Sequence, residues 1–258
     1  MRFGKGQPAW RRWTLGVSTA AITGCVLSGA MAATAYAAPA QPAQTAAKAA
    51  GGYTPASRTL KMGMHGTDIK RLQQRLTSLG YYTGGEDGNF GMNTEEAVWA
   101  FQEVQGLYAS GEITWPVEKA LVYPKAPKAL VPKGGSTRVE ISLGRHVLYV
   151  YHHNKIVLIS HISSGGGYYY CSDGSCAYAH TPTGNFKTTW RAKGWETSPL
   201  GELYNPVFFY EGYAVHGDTY VPLAPVSHGC VRIPMDVANI YPGLVPTSGI
   251  PVYVRANG

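Results

Sequence analysis

The apolar residues of this 258-residue chain change their spacing once. From Leu60 to Val122 they recur every three or four positions, the period of a helix with one buried face. From Thr137 onward they stand in alternating or continuous β-branched runs. The two periods bury apolar groups on different lattices, so the change predicts an α+β, multidomain chain. A small three-helix module (58–122) precedes a mostly β domain (136–258) with one short helix. Between them "YPKAPKALVPKGG" (123–135) reads as a semi-extended Pro/Lys linker.

Within the module, "GTDIKRLQQRLTSLGYY" sets Ile69, Leu72, Leu76 and Leu79 along one stripe, with Gly80 as the stop. "NTEEAVWAFQEVQGL" predicts a helix capped by Asn93, with Glu96 three residues on and Ala97, Val98, Phe101 and Val104 buried. "TWPVEKALV" gives a third helix with Pro116 in its first turn. A module of this size can fold alone. In the β domain, "TRVEISL", "HVLYVYH" and "KIVLISHIS" are strands separated by turns at Gly144-Arg145 and His153-Asn154. A long Gly- and Tyr-rich excursion follows, then a hairpin in "PVFFYEGYAVHG", a short helix in "PMDVANIY" and a closing strand "IPVYVR".

The formal charge of +7 suggests a nucleic-acid partner until its distribution is read. Arg2, Lys5, Arg11 and Arg12 precede any acidic residue, and without them 18 basic residues stand against 15 acidic ones. That balance argues against nucleic acid. The basic stretch, the small and apolar run after it, and Ala35-Tyr36-Ala37 predict a signal peptide over 1–37, cleaved on export. A retained anchor, a lipoprotein at Cys25 and twin-arginine export through "RRWTL" stay open. Residues 38–57, rich in Ala, Pro and Gln, read as a flexible tether.

Export makes the cysteines informative. Without Cys25 the chain keeps Cys171, Cys176 and Cys230, an odd number in an oxidising compartment. Cys171 and Cys176 flank the turn-forming "SDGS", which favours a disulfide over a metal site with His180 that has no evident fourth ligand. Cys230, in "VSHGCVRIP", is then the unpaired thiol. A thiol near its ordinary pKa needs a base or a positive field to attack a carbonyl. His216, at the end of a strand, and His228, two residues from the cysteine, are the candidate bases. Gly229 permits a tight bend that would present the N–H groups of Gly229 and Cys230 to an oxyanion. Arg232 either holds a substrate carboxylate or braces the loop through an ion pair. The pattern requires no metal and no cofactor.

The module resembles the three-helix peptidoglycan-binding domain of bacterial wall enzymes through "LQQRL", "LGYY", "DGNFG", Thr94, "AVWAFQ" and Gly106-Leu107. Tyr81 and Tyr82, read as exposed, either stack on sugars or serve as rim packing residues. In the β domain, "AVHGD" followed by "SHGCVRIP", with "ISS", Gly165, "TPTGNF", "MD" and "GIPVYV", is similar to the catalytic domain of L,D-transpeptidases. The resemblance implies Cys230 as nucleophile and His216 as base, oriented by the carbonyl of Gly217, with His228 and Gly229 shaping the oxyanion pocket. Arg232, Ser227, Tyr168 and Tyr169 are the candidate substrate-binding residues, with the Tyr-rich loop as a lid. The ten-residue spacer between His216 and Ser227 is short for the family, and Arg232 replaces the Asn of some members. The implied reaction joins peptidoglycan stem peptides 3→3 through a thioester, and carbapenem β-lactams would acylate the same thiol. An L,D-carboxypeptidase acting on the same bond and a non-catalytic wall-binding protein are the alternatives.

Overall fold

The computed structural model describes residues 52–172 and 174–257. The cleavage site, Cys25 and the tether through residue 51 lie outside them. Three helices form the first layer: α1 (Thr67–Ser78), α2 (Met92–Gln105) and α3 (Trp115–Val122). The expected stripe is buried at Ile69, Leu72, Leu76, Ala97, Val98, Phe101 and Val104. Two details of the helix start differ. Gly91 precedes the first residue of α2, so Asn93 lies inside the first turn, where its amide donates to the Asp236 carboxylate. Glu96 closes no capping box; burial, then the nearby carboxylates of Glu95 and Asp236, push its pKa up to about 8.

The β domain is a two-sheet sandwich. Its strands are β1 (Arg138–Ser142), β2 (Val147–His152), β3 (Lys155–His161), β4 (Tyr169–Ser172), β5 (Ser175–Tyr178), β6 (Gly184–Lys187), β7 (Trp195–Ser198), β8 (Gly201–Tyr210), β9 (Tyr213–Asp218), β10 (Val231–Pro234) and β11 (Pro251–Arg255). The short helix α4 (Met235–Leu244) follows β10. One sheet runs β3-β2-β1-β11-β6 and the other β10-β9-β8-β7, while β4 and β5 form a separate hairpin. Strand β1 pairs parallel with β11, and β10 parallel with β9. His153 and Asn154, both at positive φ, close the β2–β3 turn, the conformation that matches strand twist.

Alternation along the strands explains how three layers form. Leu148 and Val150 of β2 face the second sheet, joining Val139, Ile141, Val215, Val231 and Val252 in the sandwich core. Val147, Tyr149 and Tyr151 point the other way and share one cluster with Leu72, Phe101 and Val104 of the helices. The five-stranded sheet is therefore covered on both faces, and the helical module is packed on it through a continuous apolar core. Tyr81 explains part of this. It is 2% exposed, meets Phe101 edge-on at 5.4 Å and bridges to Ile159 of β3, while Tyr82 packs on the sandwich core. Burial leaves Tyr81 no face for a sugar. The exposed aromatic side chains of the module are Tyr108 and Trp115, with Tyr123 at the start of the linker.

The segments expected to be loose are held as well. Tyr53 donates to Glu118 at 2.7 Å and the Ala56 N–H does so at 3.0 Å, so the end of the tether is docked on α3. In the linker, the Gln105 amide pairs with both main-chain groups of Lys125, and the Leu130 N–H donates to the Glu140 carboxylate at 2.6 Å. Glu140 is itself buried against Arg138 at 2.7 Å. Pro-rich composition signalled an extended chain, and the buried carboxylate that pins it carries no local sequence signal.

Candidate active site

Strand β9 carries His216, and the parallel partner β10 sets Arg232 opposite it. Side chains two positions apart share a face of a strand, which brings Cys230 to the same side as Arg232 and His216. All three line one cleft of about 700 Å³. Cys230 is a free, half-buried cysteine, and its Sγ donates weakly to the Gly212 carbonyl at 3.7 Å. Cys171 and Cys176 are joined by a disulfide across the β4–β5 hairpin.

His216 is 3% exposed, and its Nδ1 lies 2.9 Å from the carbonyl oxygen of Gly217. A carbonyl only accepts, so Nδ1 carries the proton and Nε2 keeps its lone pair. Burial lowers the His216 pKa, partly offset by the Gly217 hydrogen bond. Burial also raises the Cys230 pKa, opposed by the Ala214 N–H and the Arg232 charge. Both shifts favour the neutral form of each group, the thiol and the imidazole, in the cleft that both residues line.

The turn holding the cysteine is braced from within and below. The Ser227 hydroxyl donates to the Cys230 carbonyl at 2.6 Å and accepts from the Gly229 N–H at 3.0 Å. Thr181 donates to the Gly229 carbonyl at 2.7 Å and accepts from the Gly165 N–H at 3.0 Å. Ser227 also pairs through its main chain with Ser164 and Gly166. "ISS", Gly165 and "TPTG" thus form the bed on which "SHGC" rests. Two expectations change here. The Gly229 N–H is committed to Ser227 and does not face the cleft as a free donor, and the Ser227 hydroxyl is spent on the turn. Gly229 itself has φ +149°, and a Cβ there would lie 2.6 Å from the Tyr213 ring and 2.8 Å from the His180 carbonyl. Gly229→Ala is expected to lower thiol acylation by about 100-fold, because a displacement near 1 Å costs that much. Thiol-reactive mass labelling against time checks it.

Of the two roles open for Arg232, the structure shows the brace. Its Nε lies 3.1 Å from Asp218, and Nη1 donates to the Tyr220 carbonyl at 3.5 Å, tying β10 to the loop after β9. His228 meets Tyr170 edge-on at 4.6 Å and Tyr168 at 5.8 Å, and the Tyr168 hydroxyl donates to the Val226 carbonyl at 3.2 Å. Tyr169 is 83% exposed and packs on Tyr178 instead, so of the β4–β5 hairpin it is Tyr170 that lines the cleft, together with Tyr213 of β9. The opposite wall is the β7–β8 hairpin, with Glu196 and Glu202, over a floor of Trp190 stacked on Phe208 at 4.1 Å. Sequence reading marked only the end of β8, in "PVFFY": β7 alternates exposed and half-buried residues, and "GELYN" at the start of β8 holds no β-branched side chain.

Comparison with known proteins agrees with this architecture. The peptidoglycan binding domain family matches residues 65–121, and the L,D-transpeptidase catalytic domain family matches residues 136–254. A crystal structure of the L,D-transpeptidase (residues 123–326) from Xylanimonas cellulosilytica is 34% identical, with a TM-score of 0.73, over 78% of this chain and all of that one. The chain belongs to the L,D-transpeptidase family, and it carries a peptidoglycan-binding module ahead of the catalytic domain. Local matches include the N-acetylmuramoyl-L-alanine amidase CwlM of Mycobacterium tuberculosis, 46% identical over 19% of this chain and 12% of that protein. The spore cortex-lytic enzyme of Bacillus cereus is 37% identical over 31% of this chain and 32% of its own length. The chain thus spans no more than about a third of these curated relatives.

Proposed function

We propose that this enzyme cross-links peptidoglycan, with Cys230 as nucleophile and His216 as general base. The observation that supports it is the tautomer of His216: with Nδ1–H tied to Gly217, the Nε2 lone pair is left for the cleft that the free thiol lines. The thiol proton passes to Nε2 as Sγ attacks the L,D-peptide carbonyl of a tetrapeptide stem. The resulting oxyanion falls to the Cys230 main-chain N–H, since that of Gly229 is engaged. Nε2–H then protonates the departing amine of D-alanine, leaving a thioester. The amine of a second stem attacks it, gives its proton to Nε2, and the thiol is restored with a 3→3 cross-link formed.

Two walls suit two substrates. The stapled β4–β5 hairpin, with Tyr170, covers one side of the thiol as a lid, and the β7–β8 hairpin bounds the other. A covered thioester is shielded from water, which favours aminolysis over hydrolysis. The reading places the protein at the bacterial wall outside the cytoplasm, with stem peptides and glycan as partners and carbapenems as inhibitors. Tetrapeptide stems incubated with the enzyme are expected to give a dimer that has lost one D-alanine. Tripeptide without dimer would make it an L,D-carboxypeptidase, and unchanged stems would overturn the catalytic reading.

A further inference from the structure

The loop that links His216 to the cysteine turn is held from behind by the end of β3. Ser163 donates to the Ala224 carbonyl at 2.8 Å and accepts from the Val226 N–H at 3.2 Å. His161 Nε2 lies 3.2 Å from the Pro222 carbonyl, which fixes the proton on Nε2 because a carbonyl only accepts. The other face of His161 belongs to the helical module. Trp99 of α2 meets the ring edge-on at 5.4 Å, and Glu103 of α2 places Oε2 3.6 Å from Nδ1.

That contact is unusual in its chemistry. Glu103 Oε2 and His161 Nδ1 are both buried without a hydrogen-bond partner, and each finds its nearest complement in the other. With Nε2 protonated, attraction requires one further proton, on the carboxyl or on Nδ1. Burial raises the Glu103 pKa, opposed by His161, which favours the acid form. A buried polar pair left half-satisfied for packing alone is costly, so a positional role is the economical explanation.

We propose that Glu103 and His161 are a positioning pair, through which the helical module holds the Pro222–Val226 loop and keeps Cys230 in reactive register. The module is then part of the catalytic apparatus as well as a wall anchor. This rests on Cys230 being the nucleophile.

The test uses the full chain and the carbapenem meropenem, following covalent adduct by intact mass with time and concentration. Glu103→Leu is expected to lower the maximal acylation rate by about 10- to 100-fold, while the half-saturating concentration stays within about threefold. Glu103→Gln, whose amide N–H donates to Nδ1, keeps the rate within about threefold of native. His161→Phe retains the packing on Trp99 but loses the bond to Pro222, and is expected to match Glu103→Leu. Hydrogen exchange should quicken across 219–226 in both slow variants. Val98→Ala, a core truncation in the same helix, is the stability control, expected to lower the melting temperature but keep the rate. Native rates in Glu103→Leu or His161→Phe, or equal losses in Val98→Ala, overturn the positioning role. A native chain that forms no adduct overturns the nucleophile as well.

Discussion

Replacing Cys230 with alanine is expected to abolish D-alanine release and cross-linking and to leave the fold intact. In the proposed route the Cys230 sulfur bonds to the acyl group, and alanine offers no substitute, so no thioester would form. Stability depends little on the sulfur, whose hydrogen bond to Gly212 is long at 3.7 Å. A change of about 1 kcal/mol or less corresponds to a melting shift of about 2–4 °C at this size. Release of D-alanine measured beside a thermal melt separates the two effects. A variant that keeps cross-linking would dismiss the thioester route.

His216→Ala is expected to lower acylation by about 10²- to 10⁴-fold, the usual contribution of a positioned base. The pH dependence carries more information than the size. As the proposed base His216 would act when deprotonated, and burial moves its pKa below the ordinary 6.5, so the native rate is expected to be flat through neutrality and to fall only on acidification below that value. Cys230 moves above its ordinary 9.0, so a thiolate that needs no base accumulates only in more alkaline solution. The His216→Ala variant should therefore lose the acid limb and climb steadily with pH. His228→Ala should retain it, since that imidazole is packed between the lid tyrosines. Rates from pH 4 to pH 10 on the three proteins discriminate the bases; an acid limb lost in His228→Ala and kept in His216→Ala would reverse the assignment.

What was legible in the sequence followed from residue type and spacing. The stripe Ile69-Leu72-Leu76 marked α1, and an unpaired cysteine beside a second histidine motif marked the cleft, because few other roles explain an odd thiol in a chain expected to be exported. Contacts between distant segments were not legible. Tyr149 and Tyr151 read as ordinary strand alternation, yet their outer face seats the helices and joins two expected modules into one packed body. Tyr81 looked like an exposed aromatic because the surface that buries it lies at Ile159, nearly 80 residues on. Ser227 and the Gly229 N–H were assigned toward substrate, but each satisfies the other within the turn. Spacing shows which groups are near in the chain, and it does not say which of them turn inward.

Incubating the native chain with meropenem and mapping the modified peptide by mass asks whether the sulfur of Cys230 is the atom that takes the acyl group. One adduct, on the peptide that contains Cys230, is the result this structure predicts. An unmodified Cys230 peptide, with the adduct absent or on another residue, would contradict it.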